Sequence, residues 1–192
     1  RTWVPLRVQD RSDVWLERAV ESRKRPKISV LDPHDALAFV ALHTSLHSFV
    51  RSPGLRLHMD VDRLARDNAL DWSRVVEEIH GLGARTRSFV SLMMARGVLD
   101  TPIPDAALEA LAPTSARWRK LCDLLEAEGV LHRGAPKLGR VQTLRLDLLL
   151  EEGGVGSWLA NVALPDRVWL ARHFAPDEPN LGWARLHGRR LV

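Results

Sequence analysis

Apolar residues in this chain recur at spacings of three and four, and glycine or proline interrupts the pattern at short intervals. Such spacings place side chains on one face of an α-helix, whereas glycine and proline end helices. The interruptions include Ser52-Pro53-Gly54, Gly81, Gly83, Gly97 and Gly129. The pattern therefore predicts an all-α fold, an irregular bundle of about eight or nine short helices.

One helix start is marked by its capping residues. Asp32 precedes Pro33, which suits the first helical position, and Asp35 lies in the first turn, where a carboxylate favours the positive helix end. We expect this helix to run to about Val50. Its inner face is predicted from the apolar spacing to comprise Ala36, Phe39, Val40, His43, Leu46, His47 and Val50.

Other segments are less regular. Residues 3–8 are expected to be a short strand or an extended lead-in. Residues 55–62 alternate apolar and polar, which favours a strand, but the sequence becomes helix-like from Leu64 onward. The glycine cluster at residues 153–156 marks either a boundary between lobes or a plain turn. In the helix predicted over residues 140–152, the inward positions are Val141, Leu144, Leu148 and Leu149.

Composition restricts the location and the class of partner. The chain has no unbroken apolar stretch of the roughly 20 residues that a membrane span needs, and its single cysteine, Cys122, cannot form an internal disulfide. We therefore expect a cytoplasmic protein. The net charge is +4, but the only tight basic run is residues 23–27. Phosphate binding needs clustered cations, so nucleic-acid binding is not favoured.

Two carboxylates form the sharpest candidate for chemistry. On a strand, Asp60 and Asp62 would point to the same face and could bind Mg²⁺. On a helix, positions two apart diverge by about 200°, and the metal interpretation fails. His43 and His47 lie one helical turn apart and either ligate a metal or are buried histidines with hydrogen-bonded partners, for which Asp60 is suitable.

The last helix carries Arg185, Arg189 and Arg190 near one face. These arginines could bind phosphate, but cations at a helix C-terminus also interact favourably with the helix dipole. The dipole interpretation is favoured here.

Four segments, in this order, resemble the C-terminal helical part of a family of uncharacterised bacterial nucleotidyltransferase-like proteins. They are residues 37–47 (LAFVALHTSLH), 57–64 (LHMDVDRL), 70–75 (LDWSRV) and 163–174 (ALPDRVWLARHF). The resemblance covers roughly residues 30–192. It implies a helical accessory or substrate-binding domain of an Mg²⁺-dependent enzyme of biosynthesis, which transfers a nucleotidyl group from a nucleoside triphosphate to an unknown small-molecule or peptide acceptor.

The family's Gly-Ser and Asp-x-Asp motifs have no counterpart before residue 30, and the chain begins at Arg1. We therefore expect residues 1–29 to be a lead-in and linker from a missing N-terminal catalytic half, or a partner chain to supply the catalytic motifs. The resemblance makes His43, His47 and Asp60 candidates for lining a cleft. The alternative is a non-catalytic helical module that binds a peptide or protein, whereas nucleic-acid binding rests on charge alone.

Overall fold

The computed structural model describes residues 8–22, 24–46, 55–67, 70–127, 139–163, 167–178 and 181–191. The chain divides into two compact units, Val8–Glu152 and Gly153–Val192. The division falls at the glycine cluster of residues 153–156. Gly154 there has a φ of 69°, a left-handed conformation that residues with side chains rarely adopt.

Helices dominate both units, which confirms the all-α class. The first unit contains α1 Ser12–Glu17, α2 Pro33–Leu46, α3 Leu55–Asp67, α4 Trp72–Gly81, α5 Arg85–Leu99, α6 Asp105–Leu111, α7 Ser115–Ala127 and α8 Arg140–Leu150. The second contains α9 Gly154–Ala163, α10 Arg167–Phe174 and α11 Trp183–Leu191. Of the described helices, none combines the length and apolar character that a membrane crossing requires.

A short hairpin is the one sheet within the described residues. Strands β1 (Val20–Glu21) and β2 (Ser29–Val30) pair antiparallel, with Val20 opposite Val30. The turn of the hairpin contains residues 24–27 of the basic run. The strand considered for residues 3–8 lies outside the described residues, except for Val8, which is not in a strand.

Helix α5 forms the centre of the first unit and packs against α2, α3 and α6. Every residue from position 86 to position 92 is buried, as expected for a helix surrounded on most sides. The Ser91 hydroxyl donates a hydrogen bond of 2.6 Å to the carbonyl of Ala41 in α2. This bond joins the two most closely associated helices of the unit.

The predicted inner face of α2 is wrong. The buried residues are Asp35, Leu37, Ala38, Ala41, Leu42, Thr44 and Ser45, whereas Phe39 and Leu46 are 42% and 38% exposed. The helix is apolar on nearly every side, so its spacing marks more than one possible face. The small residues Ala38, Ala41 and Ser45 occupy the packed face, which lets α3, α4 and α5 approach closely.

Two further predictions need correction. Residues 55–62 belong to helix α3 rather than a strand, and Leu57, Val61 and Ala65 are buried at a spacing of four. In α8 the exposed positions include Val141 and Leu144, which were predicted to point inward; the buried ones are Leu146 and Leu150. The α8 error arises because that helix contains apolar residues on more than one face. In α3 the alternation depended on Met59, which is 55% exposed and lies off the buried face.

A matched pair of substitutions tests the orientation of α2. Leu42 is 6% exposed and Leu46 is 38% exposed. We expect Leu42→Ala to lower the free energy of unfolding by about 2–5 kcal/mol because it leaves a cavity. Leu46→Ala should change it by less than about 1 kcal/mol. Urea denaturation followed by circular dichroism measures both, and equal losses would contradict the observed face.

Candidate functional site

A cluster of charged side chains lies where α1 meets the N-terminal end of α2 and the C-terminal half of α4. Asp35, in the first turn of α2, is 1% exposed, and Glu78 of α4 is 3% exposed. Glu78 lies on the inward face of α4 beside the buried Val75 and Ile79. Two carboxylates removed from water in this way need compensating partners.

Segment 8–22 supplies those partners to Glu78. Arg11 donates two hydrogen bonds to its carboxylate, at 3.0 Å from Nε and 3.1 Å from a terminal nitrogen. Trp15 Nε1 donates at 2.7 Å and Arg18 donates at 2.7 Å. A bidentate arginine and two further donors satisfy most of the acceptor capacity of this carboxylate.

Arg18 connects the two buried carboxylates, because it also donates to Asp35 Oδ1 at 2.8 Å. Burial raises the pKa of Asp35, and the charge of Arg18 opposes that rise only in part. Asp35 Oδ2 and Arg18 Nε are buried and have no hydrogen-bond partner among the described residues.

Glu78 behaves differently from Asp35. Burial alone would raise the pKa of Glu78, but the hydrogen bonds from Arg11, Arg18 and Trp15 outweigh burial and lower the pKa from 4.5 to about 2. The carboxylate is therefore charged at all pH values near neutrality, which suits it to hold segment 8–22 in place rather than to transfer protons.

His34 forms a second, adjacent network. Its backbone N–H and its ring Nδ1 lie 3.0 Å and 2.6 Å from Asp32 Oδ1, and its Nε2 accepts the backbone N–H of Asp71 at 3.0 Å. Because Nε2 accepts, the ring proton lies on Nδ1 and is donated to Asp32. Asp32 thereby caps α2 as predicted, and His34 links that cap to Asp71, which caps α4 through Ser73 N–H.

An aromatic strip extends from the charged cluster along the outer side of α2. The rings of Trp15 and Phe39 are nearly perpendicular, with centroids 5.9 Å apart, and Phe39 stacks on His43 at 5.7 Å with an interplanar angle of 17°. We call Trp15, Phe39 and His43 the aromatic strip. Since the indole N–H of Trp15 is bonded to Glu78, the charged cluster fixes one end of the strip.

Among the residues that it describes, the structure does not gather the site residues predicted from the sequence into one place. His43 lies in the aromatic strip, and His47 lies outside the described residues. Asp60 and Asp62 lie on helix α3. Side chains two positions apart on a helix point in different directions, so the structure does not bring these two carboxylates together. Within the described ranges, no group of three or more His, Cys, Asp or Glu side chains is arranged to hold a metal ion.

Asp62 takes part in hydrogen bonds that hold helix α3 to the end of helix α5. Its Oδ1 accepts hydrogen bonds from Arg66 Nε at 2.8 Å and from the Thr101 hydroxyl at 2.7 Å. Arg66 also donates to the carbonyls of Leu99 and Asp100, at 3.0 Å and 2.6 Å. These bonds satisfy carbonyl groups at the C-terminal end of α5 and join that end to α3.

Comparison with known proteins gives one match, to a family model. The family model of the uncharacterised nucleotidyltransferases matches residues 2–100, just over half of the 192-residue chain. The chain belongs to this nucleotidyltransferase family. No curated protein and no solved structure matches the chain.

The nucleotidyltransferase match contains the charged cluster, the aromatic strip and three of the four segments on which the resemblance rested. The fourth segment, residues 163–174, lies outside the match. Sequence reasoning did not find Glu78, Arg11 or Arg18. The outward position of Phe39 was also missed. Its one sign in the sequence is that α2 is apolar on nearly every side, so its apolar residues cannot all lie on a single packed face.

The pKa of Glu78 predicts the acid response of the fold. A carboxylate whose pKa is lower in the folded state contributes stability above its unfolded pKa and loses it as the pH falls. Wild type should therefore lose up to roughly 3 kcal/mol through Glu78 between about pH 4.5 and pH 2. Urea denaturation at a series of pH values measures this loss.

Two variants separate Glu78 from the other acids, since the raised pKa of Asp35 acts in the opposite direction. Glu78→Gln should be less stable at neutral pH and have a flatter pH dependence. Glu77→Gln, on the exposed side of the same helix, should keep the wild-type curve. A Glu78→Gln curve parallel to that of wild type would contradict the assignment.

Proposed function

We propose that residues 8–152 form a substrate-binding helical unit of an Mg²⁺-dependent nucleotidyltransferase, which transfers a nucleotidyl group from a nucleoside triphosphate to a small-molecule or peptide acceptor. The observation that carries the proposal is the aromatic strip, which lies within the family match and is partly open to solvent: Phe39 is 42% exposed. A bacterial and biosynthetic setting rests on the sequence resemblance, and a cytoplasmic one rests on the composition of the chain.

The aromatic strip suits a nucleobase. Base–aromatic stacking contributes about 1–3 kcal/mol per base and needs no base-specific hydrogen bonds. The orientation of the Phe39 ring is restricted by two neighbours, Trp15 at an interplanar angle of 83° and the stacked His43 at 17°. Such a pre-positioned ring loses little conformational freedom when a base stacks on it.

Neither Asp60 with Asp62 nor Asp35 with Glu78 fits a magnesium pair. Asp60 and Asp62 diverge on α3, and Asp62 already accepts bonds from Arg66 and Thr101. Asp35 and Glu78 are bonded to Arg18. In a nucleotidyltransferase Mg²⁺ neutralises the triphosphate and orients the reacting oxygens. We place its ligands outside the described residues, in a catalytic half or a partner chain.

A second candidate is a non-catalytic module that binds a peptide or protein. The exposed Leu16 (72%), Phe39 (42%) and Leu46 (38%) favour it, because large apolar side chains on the outer side of a helix pair are a typical docking surface for an amphipathic helix. The two candidates differ in the ligand that the same strip would bind.

Calorimetric titration of the chain with ATP and with GTP tests the proposal. Phe39→Ala should weaken nucleotide binding by about five- to hundredfold, which corresponds to loss of one stacked base. Met59→Ala removes another large exposed side chain, 55% exposed on α3, and should leave the affinity unchanged. Because the magnesium ligands are placed elsewhere, EDTA should not abolish base binding by this chain.

Three outcomes would contradict the proposal. Equal binding by Phe39→Ala and wild type would remove the aromatic strip from the site. Binding that requires Mg²⁺ and disappears in Asp60→Ala would place a metal–nucleotide site on α3 instead. A folded wild-type chain that binds neither nucleotide would leave the peptide-binding candidate.

A further inference from the structure

The second unit contains a pocket of about 690 Å³ between α10 and α11, outside the residues of the family match. It is lined by Phe174, Glu178, Leu181, Arg185, Gly188 and Arg189. We infer that this pocket binds an amphipathic oxyanion, a ligand whose phosphate or carboxylate group is attached to an apolar ring. This inference is independent of the aromatic strip and of the proposed function.

The pocket has more positive than negative side chains. Arg189 donates to Glu178 at 2.7 Å, so these two groups neutralise each other. Arg185 lies one helical turn before Arg189 and therefore on the same face of α11. It is exposed and has no ion-pair partner among the described residues. The pocket therefore presents one uncompensated guanidinium, a group whose planar donors match phosphate and carboxylate oxygens.

The opposite wall is apolar. Phe174 and Leu181 pack against the core of this unit, which is formed by Leu170, Ala171, Ala175 and Leu186. The turn between the helices is held by the Leu181 N–H, which donates to the Glu178 carbonyl at 3.1 Å. Since this wall is already packed on its inner side, an apolar ring of a ligand would bury its surface without a rearrangement of the core.

Gly188 leaves the pocket open. A Cβ atom built at this position would meet no atom within 4 Å. Glycine in a helix costs about 1 kcal/mol relative to alanine, and here its lack of a side chain leaves open space in the lining of the pocket. A larger residue at position 188 would thus occupy part of this open space.

NMR titration of the ¹⁵N-labelled full chain with phenyl phosphate, benzoate, inorganic phosphate and phenol tests the inference. We expect saturable shifts of the backbone amides at positions 185–189 with phenyl phosphate, benzoate or both. The tighter of the two identifies the oxyanion. Inorganic phosphate and phenol should each bind at least about tenfold more weakly than the tighter of these two ligands. Inorganic phosphate lacks the apolar ring, and phenol lacks the oxyanion group.

Three variants complete the test. Arg185→Gln should weaken binding about tenfold or more, and Gly188→Leu should abolish it. Arg119→Gln removes an exposed arginine of α7 and should change nothing. Circular dichroism confirms that each variant is folded; if Gly188→Leu is not, Arg185→Gln decides. Equal affinity in Arg185→Gln and Arg119→Gln, equal binding of phenyl phosphate and inorganic phosphate, or no saturable binding by wild type would overturn the inference.

Discussion

The carboxylate of Glu78 accepts four hydrogen bonds from residues that lie 60 to 67 positions earlier in the chain. An unpaired carboxylate at 3% exposure would be strongly destabilising, so Glu78 and its donors must assemble together. Helix α1 has no buried residue of its own, and its attachment to α2 and α4 therefore depends largely on Arg11, Trp15 and Arg18. The position of residues 11–18 therefore depends largely on this carboxylate.

Glu78 also determines the surface that we propose for substrate binding. Trp15 donates its indole N–H to Glu78, and its ring packs nearly perpendicular to that of Phe39, which in turn stacks on His43. A buried ion-pair network often contributes little net stability compared with an apolar core. Here it gives the outer side of α2 an ordered aromatic strip, in the part of the chain that belongs to the nucleotidyltransferase family.

Local signals in the sequence were sufficient to predict where helices begin. Asp32 with Pro33 caps α2 as predicted, and Asp71 before Trp72 caps α4 in the same way, because capping depends on a few adjacent residues. The face of α2 could not be predicted, since apolar residues surround that helix. The charged cluster was also beyond prediction, because its partners come from distant segments and no local pattern pairs Arg11 with Glu78.

The central claim is that Glu78 holds Trp15 against Phe39, and an NMR measurement tests it directly. The ring centroids are 5.9 Å apart, so protons at the indole edge and on the phenyl ring should show nuclear Overhauser effects in wild type. We expect these effects to be lost in a folded Glu78→Gln chain and kept in Glu77→Gln. Their absence from folded wild type, or their persistence in Glu78→Gln, would show that this carboxylate does not position the aromatic strip.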